Sequence, residues 1–203
     1  GTTHHILHAT LNGKKLEVES DSVLNHFHII HHLYYHPPTQ NLLIGTLMDG
    51  FYLYHPASKS LEKLGNMNDV NINAVIPYRK SEEEVLIATD GNGVYKLNFQ
   101  SKQLDPFISV NHHYSNKMNG NIIKDIYEDE DYRLWMAVFP QSITVYSDNY
   151  PSYELVKHSP DNPNSLINNQ ITYIMEDSDG DVWFATSNGV CCYFTQEKRW
   201  KSI

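Results

Sequence analysis

Apolar and polar positions alternate along this chain in short runs separated by turns, which is the pattern of β-strands. Near the end of the sequence, the pattern predicts strands over 170–175, 181–186, 190–194 and 199–203. Polar and glycine-containing turns at 177–180 and 187–189 separate the first three of these strands. Four consecutive strands joined by short turns predict one antiparallel sheet of four strands, here called A to D in chain order.

The segment 126–137 has nearly the same pattern as the segment 174–185, and weaker copies of its second half lie at 42–46 and 85–89. A strand-rich repeat of roughly 45 residues is typical of the blades of a β-propeller. We therefore predict an all-β protein made of four four-stranded antiparallel blades after a leading half blade. The predicted single domain spans 1–203, with the half blade at about 4–20 and the blades at about 23–66, 71–109, 120–157 and 168–203.

The leading half blade has only two predicted strands and lacks the A and B strands of a full blade. Closed propellers contain roughly 4 to 8 blades. Two arrangements remain open, a four-bladed ring with two spare strands or a fragment of a larger propeller, and we favour the fragment. Exposed blade edges would then be available to the remaining blades of a longer chain or to a second copy in a homodimer.

Glycine ends the turn between the second and third strands of three blades, at Gly50, Gly93 and Gly189, where a tight hairpin needs a positive φ angle. In the third blade, residues 139–142 replace this pattern with Phe-Pro-Gln-Ser, so we expect a turn of a different construction. Cys191 and Cys192 are adjacent on a predicted strand and point to opposite faces. We expect them to be buried as small apolar residues rather than to form a disulfide.

Composition limits the classes of partner. The chain has 24 acidic residues against 15 basic ones and a net charge of −9, which disfavours binding to a nucleic-acid backbone. It contains no apolar run long enough to predict a transmembrane helix. It also has no nucleophile elbow, phosphate-binding loop or dinucleotide fingerprint, so the sequence does not predict an enzyme.

The segment 158–171, followed by the strand, turn and strand of 174–190, resembles the two-component regulator propeller repeat. The third blade repeats this pattern less completely, and the first two blades keep only its second half. The resemblance implies the periplasmic sensor region of a hybrid two-component histidine kinase of the inner membrane, as in polysaccharide-degrading gut bacteria. It further implies that an oligosaccharide signal passes to kinase modules and a phosphorelay, which control polysaccharide-utilisation genes.

Two tryptophans and two pairs of carboxylates recur in the repeat. We expect Trp135 and Trp183, at the start of strand B, to pack between neighbouring blades. The pairs Glu128-Asp129 and Glu176-Asp177 resemble acid–base catalysts, but they recur at the turn between strands A and B. General acid–base catalysis needs groups that converge in one pocket, whereas aspartates in turns bind their own backbone. We therefore expect turn-forming carboxylates and no catalytic residues.

Histidines are concentrated in the first 36 residues. His26 and His28 share one face of a predicted strand, which is an acceptable spacing for two zinc ligands, but no third ligand is evident. We therefore predict neither a metal site nor a cofactor. Several imidazoles on one sheet would repel one another when protonated near about pH 6. The histidines of this segment are His4, His5, His8, His26, His28, His31, His32 and His36.

We expect ligands to bind the face formed by the turns between strands B and C and the loops between strands D and A, because loops on a rigid scaffold carry function. Aromatic and amide side chains suit the faces and hydroxyls of sugars. Two other functions remain open: a structural or protein-interaction propeller without a small-molecule ligand, and a propeller lyase or hydrolase. The predicted ligand-binding residues are His112, His113, Tyr114, Asp49, Asp90, Asn92 and Asn188.

Overall fold

A computed structural model describes residues 6–12, 14–20, 22–25, 27, 29–65, 70–110, 118–140, 142–147 and 152–202. These residues form β-strands and one short 3-10 turn at Ser22–Asn25. The strands are β1 (Leu7–Asn12), β2 (Lys15–Ser20), β3 (Ile30–His36), β4 (Asn41–Thr46), β5 (Phe51–His55), β6 (Ser60–Leu64), β7 (Ile72–Pro77), β8 (Glu84–Thr89), β9 (Val94–Asn98), β10 (Leu104–Ile108), β11 (Ile122–Glu128), β12 (Arg133–Phe139), β13 (Ser142–Ser147), β14 (Ser152–Val156), β15 (Ile171–Glu176), β16 (Val182–Thr186), β17 (Gly189–Phe194) and β18 (Arg199–Ser202).

The strands form one hairpin and four four-stranded sheets. β1 and β2 pair as the leading hairpin, and β3–β6, β7–β10, β11–β14 and β15–β18 form the first to fourth blades, each with its strands in sequence order. In the fourth blade, the predicted strand over 170–175 corresponds to β15, and the pairing of β15 with β16 is antiparallel. The prediction of an all-β fold made of four-stranded antiparallel blades is confirmed.

Contacts divide the chain into two compact units, residues 1–72 and residues 73–203. The first unit contains the leading hairpin and the first blade. Its core includes Phe27, Ile44 and Tyr54, all of which are buried. Gly45 of β4 approaches Ile72 so closely that an added Cβ would lie 2.7 Å from the Ile72 Cδ1 atom, and this leaves no room for a side chain.

The second unit contains the second, third and fourth blades, and β12 of the third blade contributes to two separate cores. Leu134, Met136 and Val138 pack with residues of the second blade, whereas Trp135 and Ala137 pack with residues of the fourth blade. Successive side chains of a strand point to opposite faces, so an apolar run can serve two interfaces at once. This explains why residues 134–138 are apolar without interruption.

The turns between strands B and C confirm the predicted role of glycine. Gly50, Gly93 and Gly189 have φ angles of 78°, 78° and 106°. At Gly93 an added Cβ would also clash with the carbonyl oxygen of Ile108. A threonine hydroxyl at the end of strand B donates to the glycine carbonyl in each case, at 2.8, 2.7 and 2.8 Å for Thr46, Thr89 and Thr186.

The corresponding turn of the third blade differs, as predicted. It contains a cis peptide bond between Phe139 and Pro140. Val138 stands where the other blades have threonine, so the hydroxyl-to-glycine bond is missing at this position. Phe139 is 40% exposed, and an aromatic side chain therefore occupies a turn in which the second and fourth blades present small and polar residues.

Cys191 and Cys192 are both free and buried, which confirms their predicted apolar role. Burial raises the pKa of the Cys191 thiol, and it is the main cause of a pKa of about 11 for the Cys192 thiol. Within the described ranges, no helix is long and apolar enough to cross a membrane.

Candidate functional site

The repeated aspartates organise the turns between strands A and B. Asp129 Oδ1 accepts the backbone N–H groups of Asp131 and Arg133 at 3.0 and 2.9 Å, and Asp129 Oδ2 accepts the indole N–H of Trp135 at 2.8 Å. The Asp129 carboxylate therefore closes the turn and anchors Trp135, which confirms the predicted role of this aspartate in the turn.

Asp177 makes the same set of bonds in the fourth blade. It accepts the backbone N–H groups of Asp179 and Asp181 at 3.0 and 3.1 Å, and the indole N–H of Trp183 at 2.6 Å. The Trp183 indole is the main cause that lowers the pKa of the Asp177 carboxyl. The bond pattern is thus a property of the repeat, because it occurs in both copies.

The glutamates that precede these aspartates connect blades. Glu128 Oε2 accepts the backbone N–H of Arg79, in the second blade, at 2.9 Å. Burial raises the pKa of the Glu128 carboxyl. Glu176 accepts a hydrogen bond from the Tyr127 hydroxyl of the third blade. These contacts hold neighbouring sheets together, so the repeated carboxylates have structural partners.

The two tryptophans differ in burial. Trp135 is 4% exposed, and its ring centroid lies 5.9 Å from that of Phe184 and 5.7 Å from that of Tyr193, which confirms packing between blades. Trp183 is only half-buried and lies outside the core between the third and fourth blades. The prediction of inter-blade packing was therefore wrong for Trp183, which is held by Asp177 instead.

Two predicted ligand-binding residues lie at the turn between strands B and C of the second blade. Asp90 Oδ1 accepts a bond from the Lys124 ammonium at 3.1 Å, and Asp90 forms an isolated bridge with Ile122. Asn92 is exposed, and its backbone N–H is bound to the Thr89 hydroxyl at 3.1 Å. The carbonyl of Asn121 accepts the N–H groups of Gly91 and Gly93, which fixes this turn against the start of β11.

A cavity of about 280 Å³ lies on the same face, between the turn of the third blade and the loop that leads into β15. The exposed Phe139 directly precedes Pro140 of the cavity wall in the sequence. The Lys124 ammonium lies 5.7 Å from the centroid of the Phe139 ring. Asn188 is exposed at the turn after β16. The cavity is lined by Pro140, His158, Asn168, Asn169 and Gln170.

Hydrogen bonds hold the wall of this cavity in place. Asn169 Oδ1 accepts the backbone N–H of His158 at 2.5 Å, and Asn168 Oδ1 accepts the Ser187 hydroxyl at 3.1 Å. Asn168 Oδ1 also accepts the backbone N–H of Gln170 at 2.7 Å. A concave site with a few fixed polar groups is suited to a small ligand. We call this cavity, together with the adjoining residues Phe139, Lys124 and Asp90, the loop-face site: Phe139 precedes Pro140 in the sequence, Lys124 lies over the Phe139 ring, and Asp90 is bonded to Lys124.

The other predicted ligand-binding residues are Asp49, in the first unit, and His112, His113 and Tyr114. Asp49, in the first unit, accepts bonds from the Tyr52 hydroxyl and the Lys63 ammonium, each at 2.8 Å. His112, His113 and Tyr114 lie outside the described residues. Lys124, Phe139 and the polar wall of the cavity were not among the predicted ligand-binding residues. The departure of residues 139–142 from the glycine pattern was the signal that could have located it.

Of the early histidines, His4, His5, His26 and His28 lie outside the described residues, and the side chain of His8 is not described. His31 Nδ1 lies 2.6 Å from the carbonyl oxygen of Ile72, and His36 Nδ1 lies 2.9 Å from the Thr39 hydroxyl. Burial, and secondarily the neighbouring His31, lowers the pKa of His32. Among the residues with described side chains, no three His, Cys, Asp or Glu are grouped closely enough to hold a metal ion.

Two family models match the chain. The model of the Pep3/Vps18/deep orange beta-propeller domain matches residues 2–173, and the model of the two-component regulator propeller matches residues 165–188. The second match falls on the loop and repeat that carry the resemblance in the sequence. A search of curated proteins found no significant match.

Solved propeller structures share the fold. The extracellular domain of BT3049 of B. thetaiotaomicron, assigned as a hybrid two-component system, has a TM-score of 0.76 at 15% identity, with 98% of this chain and 27% of that chain covered. The extracellular domain of BT4673 of the same organism, assigned as a one-component system, has a TM-score of 0.72 at 18% identity, with 95% and 25% covered. The WD40 propeller of Doa1 has a TM-score of 0.64 at 10% identity, with 99% and 64% covered. The chain thus spans about a quarter of the length of the two B. thetaiotaomicron domains.

Proposed function

We propose a sensing function for this chain, which belongs to the family of the Pep3/Vps18/deep orange beta-propeller domain and carries a two-component regulator propeller repeat. In this proposal it is an extracytoplasmic part of a hybrid two-component sensor histidine kinase. It responds to oligosaccharides and thereby controls polysaccharide-utilisation genes through a phosphorelay. The repeat and the fold shared with extracellular domains of B. thetaiotaomicron support the proposal.

The loop-face site is the observation that carries the proposal. An exposed aromatic ring, Phe139, offers a flat apolar surface on which the apolar face of a sugar can stack. The amide-rich wall of Asn168, Asn169 and Gln170 offers donors and acceptors for hydroxyl groups. The ion pair of Lys124 and Asp90 adds a charged donor and acceptor beside the ring.

Sensing requires that the ligand prefers one conformation of the protein. A ligand shifts an equilibrium between two states only by its differential affinity for them. The cavity of the loop-face site is lined by Pro140, next to the third blade's β12, and by the loop that leads into the fourth blade, so a sugar bound there would touch elements next to two separate sheets. A change in the arrangement of these sheets is the signal that we propose for the kinase modules.

A second candidate is a protein-interaction propeller without a small-molecule ligand. One face of the fourth blade exposes Tyr173, Met175 and Val190 at 57%, 46% and 39%. Exposed apolar patches of this kind mark interaction surfaces in many proteins. This candidate predicts binding to another protein surface and no response to sugars.

Calorimetric titration of the chain with a library of oligosaccharides from plant and host polysaccharides tests the sensing proposal. We expect saturable binding of at least one library member. Replacing Phe139 with Ala should weaken that binding by about tenfold or more, because the stacking surface is lost. The matched control is Leu155→Ala, which truncates another exposed apolar residue away from the site and should change the affinity by less than about twofold.

The absence of binding across the library would contradict the sensing proposal and favour the protein-interaction propeller. If the Phe139→Ala and Leu155→Ala variants bind the sugar with equal affinity, the chain binds sugar, but not at the loop-face site. A Gln170→Ala variant separates the polar wall from the aromatic ring, since Gln170 is exposed and its backbone N–H, not its side chain, is bound to Asn168.

A further inference from the structure

A second cleft, of about 260 Å³, lies between the third and fourth blades, away from the residues that line the loop-face site. Three aromatic rings line it, those of Trp135, Tyr193 and Trp200. The ring centroids of Tyr193 and Trp200 are 4.9 Å apart, and those of Trp135 and Tyr193 are 5.7 Å apart. Trp200 also packs on Phe184 at 5.2 Å. The rings therefore form a fixed aromatic wall.

The polar rim of this cleft has one cation whose charge is already balanced. The Arg133 Nε atom donates to Asp129 Oδ2 at 2.7 Å, and its Nη2 atom lies 3.0 Å from Asp131 Oδ2. The guanidinium group is thereby held beside the aromatic wall, 5.9 Å from the Trp135 ring centroid. Two acidic partners leave it little preference for an anionic ligand.

Other polar groups of the rim have unused bonding capacity. Asn164 Oδ1 accepts the backbone N–H of Trp200 at 2.6 Å, which leaves the amide NH₂ of Asn164 available to donate. Glu154 and Lys198 also line the cleft. Among the described residues, neither the Glu154 carboxylate nor the Lys198 ammonium has an ion-pair partner. The rim thus presents one acceptor and two donors beside an apolar wall.

We propose that this inter-blade cleft, defined by Trp135, Tyr193, Trp200, Arg133, Glu154, Asn164 and Lys198, binds one neutral pyranose residue of an oligosaccharide. The proposal rests on the proposed sensing function only for the ligand class. Glu154 and Lys198 carry opposite charges, and the two carboxylates beside Arg133 disfavour an anionic ligand, so the hydroxyl groups of a neutral sugar suit the rim. The volume lies just below the roughly 300–1,000 Å³ of sites for drug-sized ligands, which suits a single sugar ring.

The position of the cleft relates it to the sensing function. Arg133, Trp135 and Glu154 belong to the third blade, whereas Tyr193, Lys198 and Trp200 belong to the fourth. A sugar in the cleft would therefore bind both sheets at once. Burial raises the pKa of Tyr193, with a further contribution from Glu154, in keeping with the closeness of these two groups.

Tryptophan fluorescence reports on this cleft separately from the loop-face site. The chain contains three tryptophans, of which Trp135 and Trp200 line the cleft and Trp183 does not. In the Trp183→Phe variant, the emission comes from the two cleft tryptophans alone. Titration with short neutral oligosaccharides of defined linkage should change this emission in a saturable way. A negatively charged uronic-acid disaccharide should change it less.

Surface substitutions test the rim without disturbing the aromatic wall. Glu154→Gln and Lys198→Gln, made in the Trp183→Phe background, should each weaken the fluorescence-detected affinity by about fivefold or more, because a charge-assisted hydrogen bond is lost. Glu197→Gln and Lys201→Gln are the matched controls, since both residues are exposed and neither lines the cleft. The controls should stay within about twofold of the parent.

Two results would overturn the cleft as a sugar site: an emission that no neutral oligosaccharide changes, and an affinity that the rim variants and the controls alter equally. Its failure can be separated from failure of the sensing proposal. If calorimetry detects binding that Phe139→Ala abolishes, while the tryptophan emission does not change, the cleft is not a sugar site but the sensing proposal stands. If neither calorimetry nor fluorescence detects binding, both proposals are contradicted.

Discussion

The third and fourth blades contain the same repeat, with the same hydrogen bonds, in different surroundings. Asp129 and Asp177 each accept two backbone N–H groups and one indole N–H. Trp135 is nevertheless buried against the fourth blade, while Trp183 remains half-buried. The repeat therefore specifies the turn and the anchoring of the tryptophan, and the neighbouring sheet decides how much of the ring is buried.

This difference separates two kinds of stabilisation. Bonds within a blade depend on residues close in sequence, so both copies of the repeat keep them. Packing between blades depends on a second sheet, so it differs between copies even when the residues match. Substitutions at equivalent positions of the two blades should therefore have unequal effects, with the larger effect in the third blade.

The largest difference is expected for the tryptophans. Trp135→Ala should lower the free energy of unfolding by about 3–5 kcal/mol, because it leaves a cavity in the core between two blades. Trp183→Ala should cost about half as much or less, since its ring is half-exposed and can be replaced partly by water. Urea unfolding of both variants, followed by circular dichroism, measures the two values. Equal losses would show that the neighbouring sheet does not matter.

The aspartates should show a smaller difference in the same direction. Asp129 is 3% exposed, and Asp129→Asn would place an amide NH₂ group against either the indole or the backbone donors of its turn. We expect a loss of about 2–3 kcal/mol in the free energy of unfolding. Asp177→Asn removes the same acceptor from a more accessible turn and should lose clearly less. Chemical unfolding under identical conditions compares them, and a greater loss at Asp177 would contradict the account.

A bond between the two blades should have a more modest effect. The Tyr127 hydroxyl donates to the Glu176 carboxylate across the interface. Tyr127→Phe should lower the free energy of unfolding by about 1–2 kcal/mol, because a hydrogen bond to a charged group is lost while the ring remains. The control Tyr173→Phe, at an exposed ring, should lie within about 0.5 kcal/mol of the parent. Equal free energies of unfolding for Tyr127→Phe and Tyr173→Phe would show that this hydrogen bond does not stabilise the interface.

The pH dependence should show the smallest effect, with opposite signs in the two blades. Burial raises the pKa of Asp125, whose Oδ2 atom accepts the Ile174 N–H at 2.7 Å. Its contribution to stability is therefore full below its ordinary pKa and is lost as the pH rises through the raised value. Asp177 has a lowered pKa, so its contribution is full above its ordinary pKa and is lost as the pH falls.

Unfolding curves between about pH 3 and pH 7 test these signs. In the parent, Asp125 should lower the stability toward neutral pH, and Asp177 should lower it toward acid pH. The Asp125→Asn variant should lack the first contribution, and the Asp177→Asn variant should lack the second. The same slope change in both variants would show that one of the two assignments is incorrect.

The sequence was sufficient for the strands and turns, because these depend on local patterns. The alternation near the end of the chain predicts β15–β18, and glycine predicts the positive φ angles at Gly50, Gly93 and Gly189. The repeated aspartates are also interpretable as turn residues, since their partners lie within six positions along the chain.

The cavity of the loop-face site and the inter-blade cleft could not be predicted in this way. Arg133 is far in the sequence from Tyr193 and Trp200, and it meets them only because the third and fourth sheets pack together. Lys124 and Asp90 likewise meet across two blades. Trp183 matches Trp135 in the repeat, yet its partial burial depends on which sheet lies beside it. Where a property depends on the neighbouring blade, the sequence of the repeat alone does not predict it.

The repeated turn aspartates build the blades, whereas we propose that the loop-face residues, which differ between blades, recognise the ligand. Calorimetric titration of the Trp183→Phe and Phe139→Ala variants with an oligosaccharide that the parent chain binds compares a repeated residue with one that differs between blades. We expect an affinity within about twofold of the parent for Trp183→Phe and a loss of about tenfold or more for Phe139→Ala. A large loss in Trp183→Phe, together with an unchanged affinity in Phe139→Ala, would show that the loop-face residues do not recognise the sugar.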